Sequence, residues 1–375
     1  MKSFLIRTRP ALLVLVALAL MLASAGAAAA EEKIQLAILL DTSNSMDGLI
    51  SQAKSQLWKV VNELARARRN GKAPSLEVAL FEYGNDGLPA SGGYLRMVSD
   101  LTTDLDLISD SLFRLTTNGG NEYCGLVIER AADSLAWSRA TDVLKVIYIA
   151  GNEPFTQGPS AYTTACARAA KKGIIVNTIF CGPFQEGVAT LWKDGAERAD
   201  GRYMSIDSDE GVLSIDSPWD RDIMRLGDEL NSTYVAYGAE GELMKSRQAE
   251  QDVNAAAAGA GAPVQRSVAK AQDVYSNAGW DLVDALSRKT VNLGSLKEAE
   301  LPPAMRKMTL AQKEAYVRTL AARRADLQAQ INAANEKRRV FVAEEMKTHS
   351  AQNTLDQAML TSVKEQAEKK GFTLK

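Results

Sequence analysis

The feature that most constrains the fold is the alternation of apolar runs with amphipathic stretches from Ile34 to Tyr237. The runs predict buried strands, and the one at 143–149, rich in β-branched residues, predicts a central strand. Such alternation is typical of a parallel sheet with helices on both faces. We predict an α/β fold with a doubly wound, mostly parallel six-stranded sheet. The predicted strands are 34–40, 76–83, 94–98, 143–149, 174–180 and 203–206.

Helical spacing of apolar residues predicts the elements between these strands, beginning with a long helix over 46–64. The Gly, Pro and Ser-rich stretch 84–93 returns the chain into strand 94–98, which predicts an antiparallel hairpin at the sheet edge. The remaining predicted helices of this α/β domain, residues 31–240, are 104–115, 124–137, 160–172, 187–198 and 220–231.

The first thirty residues have the three-part pattern of a secretory signal peptide. Lys2, Arg7 and Arg9 precede the apolar run 11–22, and small residues follow it. We therefore expect a signal peptide at residues 1–30, a periplasmic or secreted mature protein and no integral membrane segment after cleavage. An uncleaved anchor is the alternative, although the run is shorter than the roughly 20 residues of a bilayer span.

The C-terminal third is predicted to be helical. Residues 241–300 contain an Ala/Gly-rich stretch, 254–263, expected to be a linker, and a predicted helix at 268–286. Thr309 and Gln312 form a capping box that opens a long helix in the tail, residues 301–375. Its heptad-like seam, interrupted by Lys313, Arg324 and Arg338, predicts a marginal coiled coil or a helical hairpin. The seam positions are Leu310, Val317, Leu320, Leu327, Ile331, Ala334 and Phe341.

Charge is distributed unevenly along the chain. Residues 31–300 carry about −11 and the tail from Leu301 about +6. This asymmetry favours self-association through the C-terminal helix or attraction to anionic envelope polymers and lipid surfaces, and a solvated helix of mixed charge is the alternative. Nucleic acid is not an expected partner, since the tail has few aromatic residues and no recognisable binding motif.

Cysteine and histidine are scarce. The three cysteines, Cys124, Cys166 and Cys181, leave open one disulfide with one free thiol, and no Cys/His cluster provides zinc ligands. The single histidine, His349, lies in the tail. Cys124 opens a predicted helix, where its thiol pKa could be lowered, although a structural half-buried cysteine or one half of a disulfide is the alternative.

An Asp-x-Ser-x-Ser pattern follows the first predicted strand, at Asp41-Thr42-Ser43-Asn44-Ser45. With the α/β alternation around it, residues 32–238 resemble the von Willebrand factor A family. The resemblance implies that Asp41, Ser43 and Ser45 bind a divalent cation, usually Mg²⁺ or Mn²⁺, with one position open for an acidic side chain of a protein partner. One carboxylate and two hydroxyls suit a hard cation. The alternative is a turn that caps the following helix.

Two departures from the family pattern bear on this site. Where the family usually has Gly-Gly-Thr, this chain has Gly119-Gly120 followed by Asn121 and Glu122, so the threonine ligand is replaced by Asn121 or by Glu122. Where the family usually has Thr-Asp-Gly, the chain reads Ala150-Gly151-Asn152-Glu153, with Gly151 at the Asp position. Asn152 and Glu153 could also provide oxygens.

Enzyme sites are poorly matched. A haloacid-dehalogenase-like phosphatase needs a second Asp where Ser43 stands, and a Rossmann dehydrogenase needs a Gly-rich turn that 42–47 lacks. A Ser/His/Asp hydrolase would have to use His349, without a Gly-x-Ser-x-Gly elbow. We expect an exported, adhesion-like or scaffold protein-binding module and not an enzyme. The alternatives are a metal-independent envelope assembly or stress factor and a metal-dependent hydrolase.

Overall fold

The centre of the fold is a six-stranded sheet. The computed structural model describes residues 32–207, 213–259, 261–348 and 354–374, so the predicted signal peptide and His349 lie outside the described residues. The strands are β1 (Lys33–Asp41), β2 (Ala67–Arg68), β3 (Ser75–Tyr83), β4 (Leu95–Thr102), β5 (Leu144–Gly151), β6 (Ile175–Cys181), β7 (Tyr203–Ile206) and β8 (Thr373–Leu374).

The sheet order is β4-β3-β1-β5-β6-β7, while β2 and β8 form a separate antiparallel pair. All neighbours in the large sheet are parallel except β3 and β4. The predicted mostly parallel sheet with an antiparallel edge is confirmed. Because the order reverses on either side of β1, the connections diverge there and leave room at the carboxyl ends of the strands.

Helices cover both faces of this sheet. The single helix predicted at 187–198 is two helices, because Leu191 between them has a left-handed backbone with φ 73°. The helices are α1 (Asp47–Ala65), α2 (Leu105–Phe113), α3 (Cys124–Ser134), α4 (Tyr162–Lys171), α5 (Phe184–Ala189), α6 (Trp192–Glu197), α7 (Asp220–Asn231), α8 (Gly241–Ala258), α9 (Ala262–Lys270), α10 (Leu282–Ser287), α11 (Pro303–Arg306), α12 (Leu310–Met346) and α13 (Leu355–Lys369).

Strand β1 is buried on both faces and alternates between two apolar clusters. Leu36 and Leu40 belong to a cluster with residues of α1, α2 and α13. Ala37 and Leu39 belong to a cluster with residues of α3 and α4 on the opposite face. This period of two is what a strand between two helical layers requires.

The C-terminal region differs from its prediction. The Ala/Gly-rich stretch predicted as a linker lies mostly in α8 and in the start of α9, because alanine is the strongest helix former. The helix predicted at 268–286 is instead the end of α9 and, after a non-helical segment, α10. The capping box of Thr309 and Gln312 is confirmed at the start of the 37-residue helix α12.

Helix α12 packs against α7, α9 and α10 of the same chain. Its seam residues Val317, Leu327 and Ile331 are buried. The interruptions Arg324 and Arg338 are buried too, and they form ion pairs with Asp281 and Asp220. The apolar seam of α12 is used within the chain, and self-association through the C-terminal helix, which the charge asymmetry suggested, remains a prediction.

Helix α13 completes the covering of the sheet. The hydroxyl of Tyr148 on β5 lies 2.7 Å from the Ser362 hydroxyl and donates to the Met359 carbonyl at 3.0 Å. Asn177 on β6 donates to Gln366 at 3.0 Å. The described residues from Glu32 onward belong to one compact unit, and the boundaries expected at 240 and 300 remain predictions of sequence organisation.

A membrane-crossing helix would have to be both long and apolar. Among the described residues, no helix meets both conditions.

Candidate metal centre

Asp41 is the last residue of β1, so it lies at the carboxyl edge of the sheet. Its side chain is fully buried, and the Asp41 Oδ1 atom accepts a hydrogen bond from the Ser43 amide at 2.8 Å. This bond turns the chain at the end of the strand and directs the next side chains back over the carboxylate.

The two serine hydroxyls of the motif lie next to each other. Ser43 Oγ is 3.2 Å from Ser45 Oγ, and the Asn152 amide nitrogen donates to Ser45 Oγ at 3.2 Å. Ser43 is buried, whereas Ser45 is exposed. Asn152 follows β5, the strand beside β1, so adjacent strand ends bring these three side chains together.

Glu122 reaches this group from the loop 115–123. Asn118 donates its amide to the Thr42 carbonyl at 2.9 Å, and the Gly119 carbonyl accepts from the Asp86 amide at 2.7 Å, which fixes the loop against both strand ends. The Glu122 amide itself donates to Gln157 Oε1 at 2.6 Å.

Gly84 lets the two carboxylates approach each other. It has φ +76°, and a Cβ built there would lie 2.6 Å from Glu122 Cγ and 2.7 Å from Asp41 Oδ1. Of the two candidates for the threonine position, Glu122 is 5% exposed and beside Asp41, while the Asn121 side chain is exposed at the surface. The structure therefore brings Asp41, Ser43, Ser45 and Glu122 together.

Three buried oxygens at this site accept no hydrogen bond within the described structure: Asp41 Oδ2, Glu122 Oε2 and Asn152 Oδ1. Buried polar atoms are rarely left unsatisfied, because their desolvation is not compensated. Oxygens of carboxylate, amide and hydroxyl groups are the ligands that Mg²⁺ and Mn²⁺ prefer. The residues present fit a hard divalent cation.

The electrostatics also favour a cation. Burial raises the pKa of Asp41 to about 7, with a further contribution from the charge of Glu153. Burial, then Asp41, then Glu153 raise the pKa of Glu122 to about 9. Both charged forms are thus disfavoured in the cation-free site, and a bound cation would stabilise them.

The donor set is mixed. Among the described residues, no three His, Cys, Asp or Glu side chains form a group that could hold a metal ion. Any cation here would therefore depend on the serine hydroxyls and the Asn152 amide in addition to the two carboxylates.

Gly151 stands at the place of the family's aspartate, where a side chain would fit only if its neighbours moved. A Cβ on Gly151 would lie 2.5 Å from the Tyr83 hydroxyl and 3.0 Å from Asp41 Oδ2. The Tyr83 hydroxyl donates to the Ala150 carbonyl at 2.9 Å, so it is held in that space. The sequence comparison identified the departure but not the tyrosine that accompanies it.

Cys124 opens α3 next to Tyr83, with its Sγ 3.9 Å from the tyrosine hydroxyl. Burial raises the pKa of its thiol well above the ordinary value. The prediction that the helix start lowers this pKa is therefore wrong, and Cys124 is a buried structural cysteine. Cys166 is also buried, and both are free thiols. Because any intrachain disulfide among three cysteines needs one of these two, none forms.

The sequence reasoning missed the residues that hold the loops. Asn85 donates to the Thr42 hydroxyl at 3.3 Å and to the Thr116 carbonyl at 3.0 Å. Together with Gln157, it ties the segments after β3 and β5 to the loop of Glu122. A search of polar residues just after the predicted strands would have found Asn85 but not Gln157, which lies further along its loop.

The similarity of this chain to known proteins is limited to solved structures. No protein-family model and no curated protein matches the chain. Among solved structures, the chain is similar to the SpRpn10 VWA domain, with 17% identity, 46% of this chain and 88% of that chain covered, and a TM-score of 0.36. It is also similar to BatB from Bacteroides thetaiotaomicron, with 17% identity, coverage of 46% and 90%, and a TM-score of 0.36. A von Willebrand factor type A protein from Catenulispora acidiphila matches with 16% identity, coverage of 47% and 39%, and a TM-score of 0.34.

The sheet order, the helices on both faces and the Asp-x-Ser-x-Ser segment at the end of β1 decide the fold. The chain has a doubly wound α/β fold similar to that of von Willebrand factor A domains. The sheet face over β5 and β6 is covered by α13, the last helix that the structure describes. The resemblance predicted from the sequence is confirmed at the level of the fold.

Proposed function

We propose that this chain is an exported protein-binding module of the adhesion or scaffold type, whose A-type domain holds Mg²⁺ or Mn²⁺ at the carboxyl edge of the sheet. The observation that carries the proposal is the group of three buried, unpartnered oxygens on Asp41, Glu122 and Asn152. Asp41, Ser43, Ser45 and Glu122 would hold the cation, with Asn152 beside them.

Export is supported by the charged, apolar and small-residue segments of residues 1–30. A binding role is supported by the site itself, which lies where loops from several strand ends meet at a surface. We propose a periplasmic or secreted location and a protein partner that docks at this edge.

The bound cation would orient the loops after β1, β5 and α2 through shared ligands. The chain's own residues fix those loops beforehand, since Asn85 and Gln157 anchor the loop of Glu122. A partner would therefore meet a surface that is already largely formed, which reduces the entropy lost on binding.

The test is the thermal midpoint of the purified protein in EDTA and then in millimolar Mg²⁺ or Mn²⁺. A ligand at a hundredfold excess over its dissociation constant stabilises the native state by about 2.7 kcal/mol, which raises the midpoint by several degrees. We expect the rise in the wild type and in Asp86→Asn, a matched change of an exposed carboxylate on the loop after β3.

Asp41→Asn should lose the rise while keeping its helical circular dichroism. If that variant does not fold, Glu122→Gln serves in its place. A wild type whose midpoint is the same in EDTA and in either cation contradicts the proposal and favours a metal-independent role for the domain.

A further inference from the structure

A polar cleft lies between the C-terminal end of α1, helix α9 and helix α12. Residues within 62–68, 265–272 and 332–339 line this arginine cleft, whose volume is about 490 Å³. Small-molecule sites typically have volumes of about 300–1,000 Å³. Among the described residues that line the cleft, Val268 is the one apolar side chain, and the others are asparagine, glutamine, arginine and glutamate. The cleft therefore suits a small ligand rich in polar groups.

Side-chain amides hold the walls of the arginine cleft together. The Asn62 amide nitrogen donates to the Gln265 carbonyl at 2.8 Å and to Gln265 Oε1 at 2.7 Å. The Gln272 amide nitrogen donates to Asn332 Oδ1 at 2.6 Å. These bonds join α1 to α9, and the segment after α9 to α12. Because the chain's own contacts form the cleft, a ligand would lose little of its binding energy to ordering the protein.

Three arginines bring positive charge to the cleft. They are Arg66 after α1, Arg68 in β2 and Arg339 in α12. Arg66 and Arg339 each donate from Nη1 to the glutamate three residues earlier, and Arg68 donates from Nη1 to two main-chain carbonyls. The Nε and Nη2 atoms of all three have no hydrogen-bond partner among the described residues. A guanidinium binds a carboxylate or a phosphate through two such parallel donors.

The glutamates of the cleft do not neutralise this charge. Glu63 and Glu336 line the cleft with the three arginines, so two carboxylates face three guanidiniums. The Glu336 side chain is 65% exposed, and exposed ion pairs of this kind contribute little stability, so a bound anion could replace it at small cost. Burial lowers the pKa of Arg66, Glu63 opposes this change, and the charge of Arg339 lowers the pKa again. The two guanidiniums therefore repel each other, and an anion beside both would relieve the repulsion.

Two amides of the cleft lack hydrogen-bond partners. Asn62 is 6% exposed, and its buried Oδ1 accepts no hydrogen bond in the described structure. The Asn335 side chain forms no hydrogen bond with any described residue. A buried acceptor that stays unsatisfied costs free energy, and a hydroxyl can donate to it. Since an amide both donates and accepts, the two asparagines suit the hydroxyl groups of a ligand.

We propose that the arginine cleft binds an anionic saccharide, either a sugar acid or a sugar phosphate. Its carboxylate or phosphate contacts Arg66, Arg68 and Arg339, and its hydroxyls contact Asn62 and Asn335. The candidate metal centre lies beyond the opposite end of α1, so this site is independent of the proposed cation site and each can be tested without the other.

The test is isothermal titration calorimetry of the full-length protein with glucuronate, glucose 6-phosphate and glucose, at low and high salt. We expect at least one of the two anions to bind, and its affinity to fall with salt, because the guanidiniums are partly exposed and screened. The tighter anion identifies the recognised group as carboxylate or phosphate. Glucose has the hydroxyls without the charge and should bind at least about tenfold more weakly. No binding of either anion at millimolar concentration, or glucose binding as tight as theirs, would overturn the inference.

The first variant removes charge from the cleft. Arg66→Gln combined with Arg339→Gln should weaken the preferred anion at least about tenfold, because charge-assisted hydrogen bonds are lost. The matched control is Arg114→Gln combined with Arg225→Gln, which removes two arginines that pair with carboxylates on the surface, at the end of α2 and on α7. The control should change the affinity less than about twofold. Equal weakening in both double variants would contradict binding at the cleft.

A second variant adds negative charge and has little effect on packing. Asn335 is partly exposed and has no hydrogen bond to lose, so Asn335→Asp should keep the helical circular dichroism of the wild type. Its carboxylate would pair with the guanidiniums and repel the ligand, and the affinity for the preferred anion should fall at least about tenfold. An Asn335→Asp protein that binds the anion as tightly as the wild type would overturn the placement of the ligand in this cleft.

Discussion

Replacing Arg324 with alanine should destabilise the protein more than replacing any other residue of α12 that we have described. The guanidinium lies over the Tyr234 ring, 4.2 Å from its centroid. It donates to Asp281 and Asp284 at 2.6 Å each, and to the Thr233 carbonyl at 2.7 Å. These contacts join α12 to the end of α7 and the start of α10.

The magnitude follows from what remains after the substitution. The Asp281 side chain is fully buried, and burial raises its pKa while Arg324 acts in the opposite direction. Breaking a buried pair by removing one partner typically costs about 3–5 kcal/mol, because an uncompensated charge stays buried. We therefore expect Arg324→Ala to lower the free energy of unfolding by about 3–5 kcal/mol.

The neighbouring residue provides the matched control. Arg323 is 49% exposed and pairs with Glu229 at the surface, so Arg323→Ala should cost less than about 1 kcal/mol. Urea unfolding followed by circular dichroism gives both values by linear extrapolation, provided that the slope is unchanged. A cost below about 1 kcal/mol for Arg324→Ala, or equal costs for both variants, would refute the claim that buried ion pairs anchor α12.

Three further outcomes follow from the structure. Gly151→Ala places a Cβ 2.5 Å from the Tyr83 hydroxyl and should cost about 1–3 kcal/mol in urea unfolding as well as reduce the Mg²⁺ thermal shift. Burial raises the pKa of Cys166 to about 12, so this thiol should not react with Ellman's reagent at neutral pH until guanidinium unfolds the chain. Rapid labelling of Cys166 in the native protein, located by mass spectrometry, would contradict its burial. Tyr148→Phe should cost about 1–2 kcal/mol by urea unfolding through loss of its bonds to α13, whereas an unchanged midpoint would mean that the contact with Ser362 contributes nothing.

The sheet was predictable because its strands are buried on both faces and therefore read as continuous apolar runs. The first strand was predicted over 34–40 and extends over Lys33–Asp41. Turn residues between the runs fixed the hairpin at the edge. These are local signals, and they survive in a single sequence.

The C-terminal region was less predictable because its packing is non-local. The composition of an Ala/Gly-rich stretch predicts a linker, although alanine also favours helix. Packing against α1, α2 and α9 decides that this stretch is part of helix α8. Arg324 and Arg338 read as breaks in an apolar seam. Their acidic partners, Asp281 and Asp220, lie far away in sequence, so no periodicity could reveal the pairs.

The candidate metal centre was partly predictable for the same reason. Asp41, Ser43 and Ser45 lie in one segment after a strand, whereas the choice between Asn121 and Glu122 depended on how a loop folds against Thr42 and Gln157. Spacing alone could not distinguish two adjacent oxygen donors. Burial distinguishes them, with Glu122 inside and Asn121 outside.

The most direct test of the cation site is an electron paramagnetic resonance titration that counts bound Mn²⁺ per chain in four proteins. We predict one bound Mn²⁺ in the wild type and in Asn121→Ala, and its loss in Asp41→Asn and in Glu122→Gln, because two buried carboxylates supply the charge that holds the ion. A wild type that binds no Mn²⁺, or an Asn121→Ala protein that loses it as completely as Glu122→Gln does, would contradict the site described here.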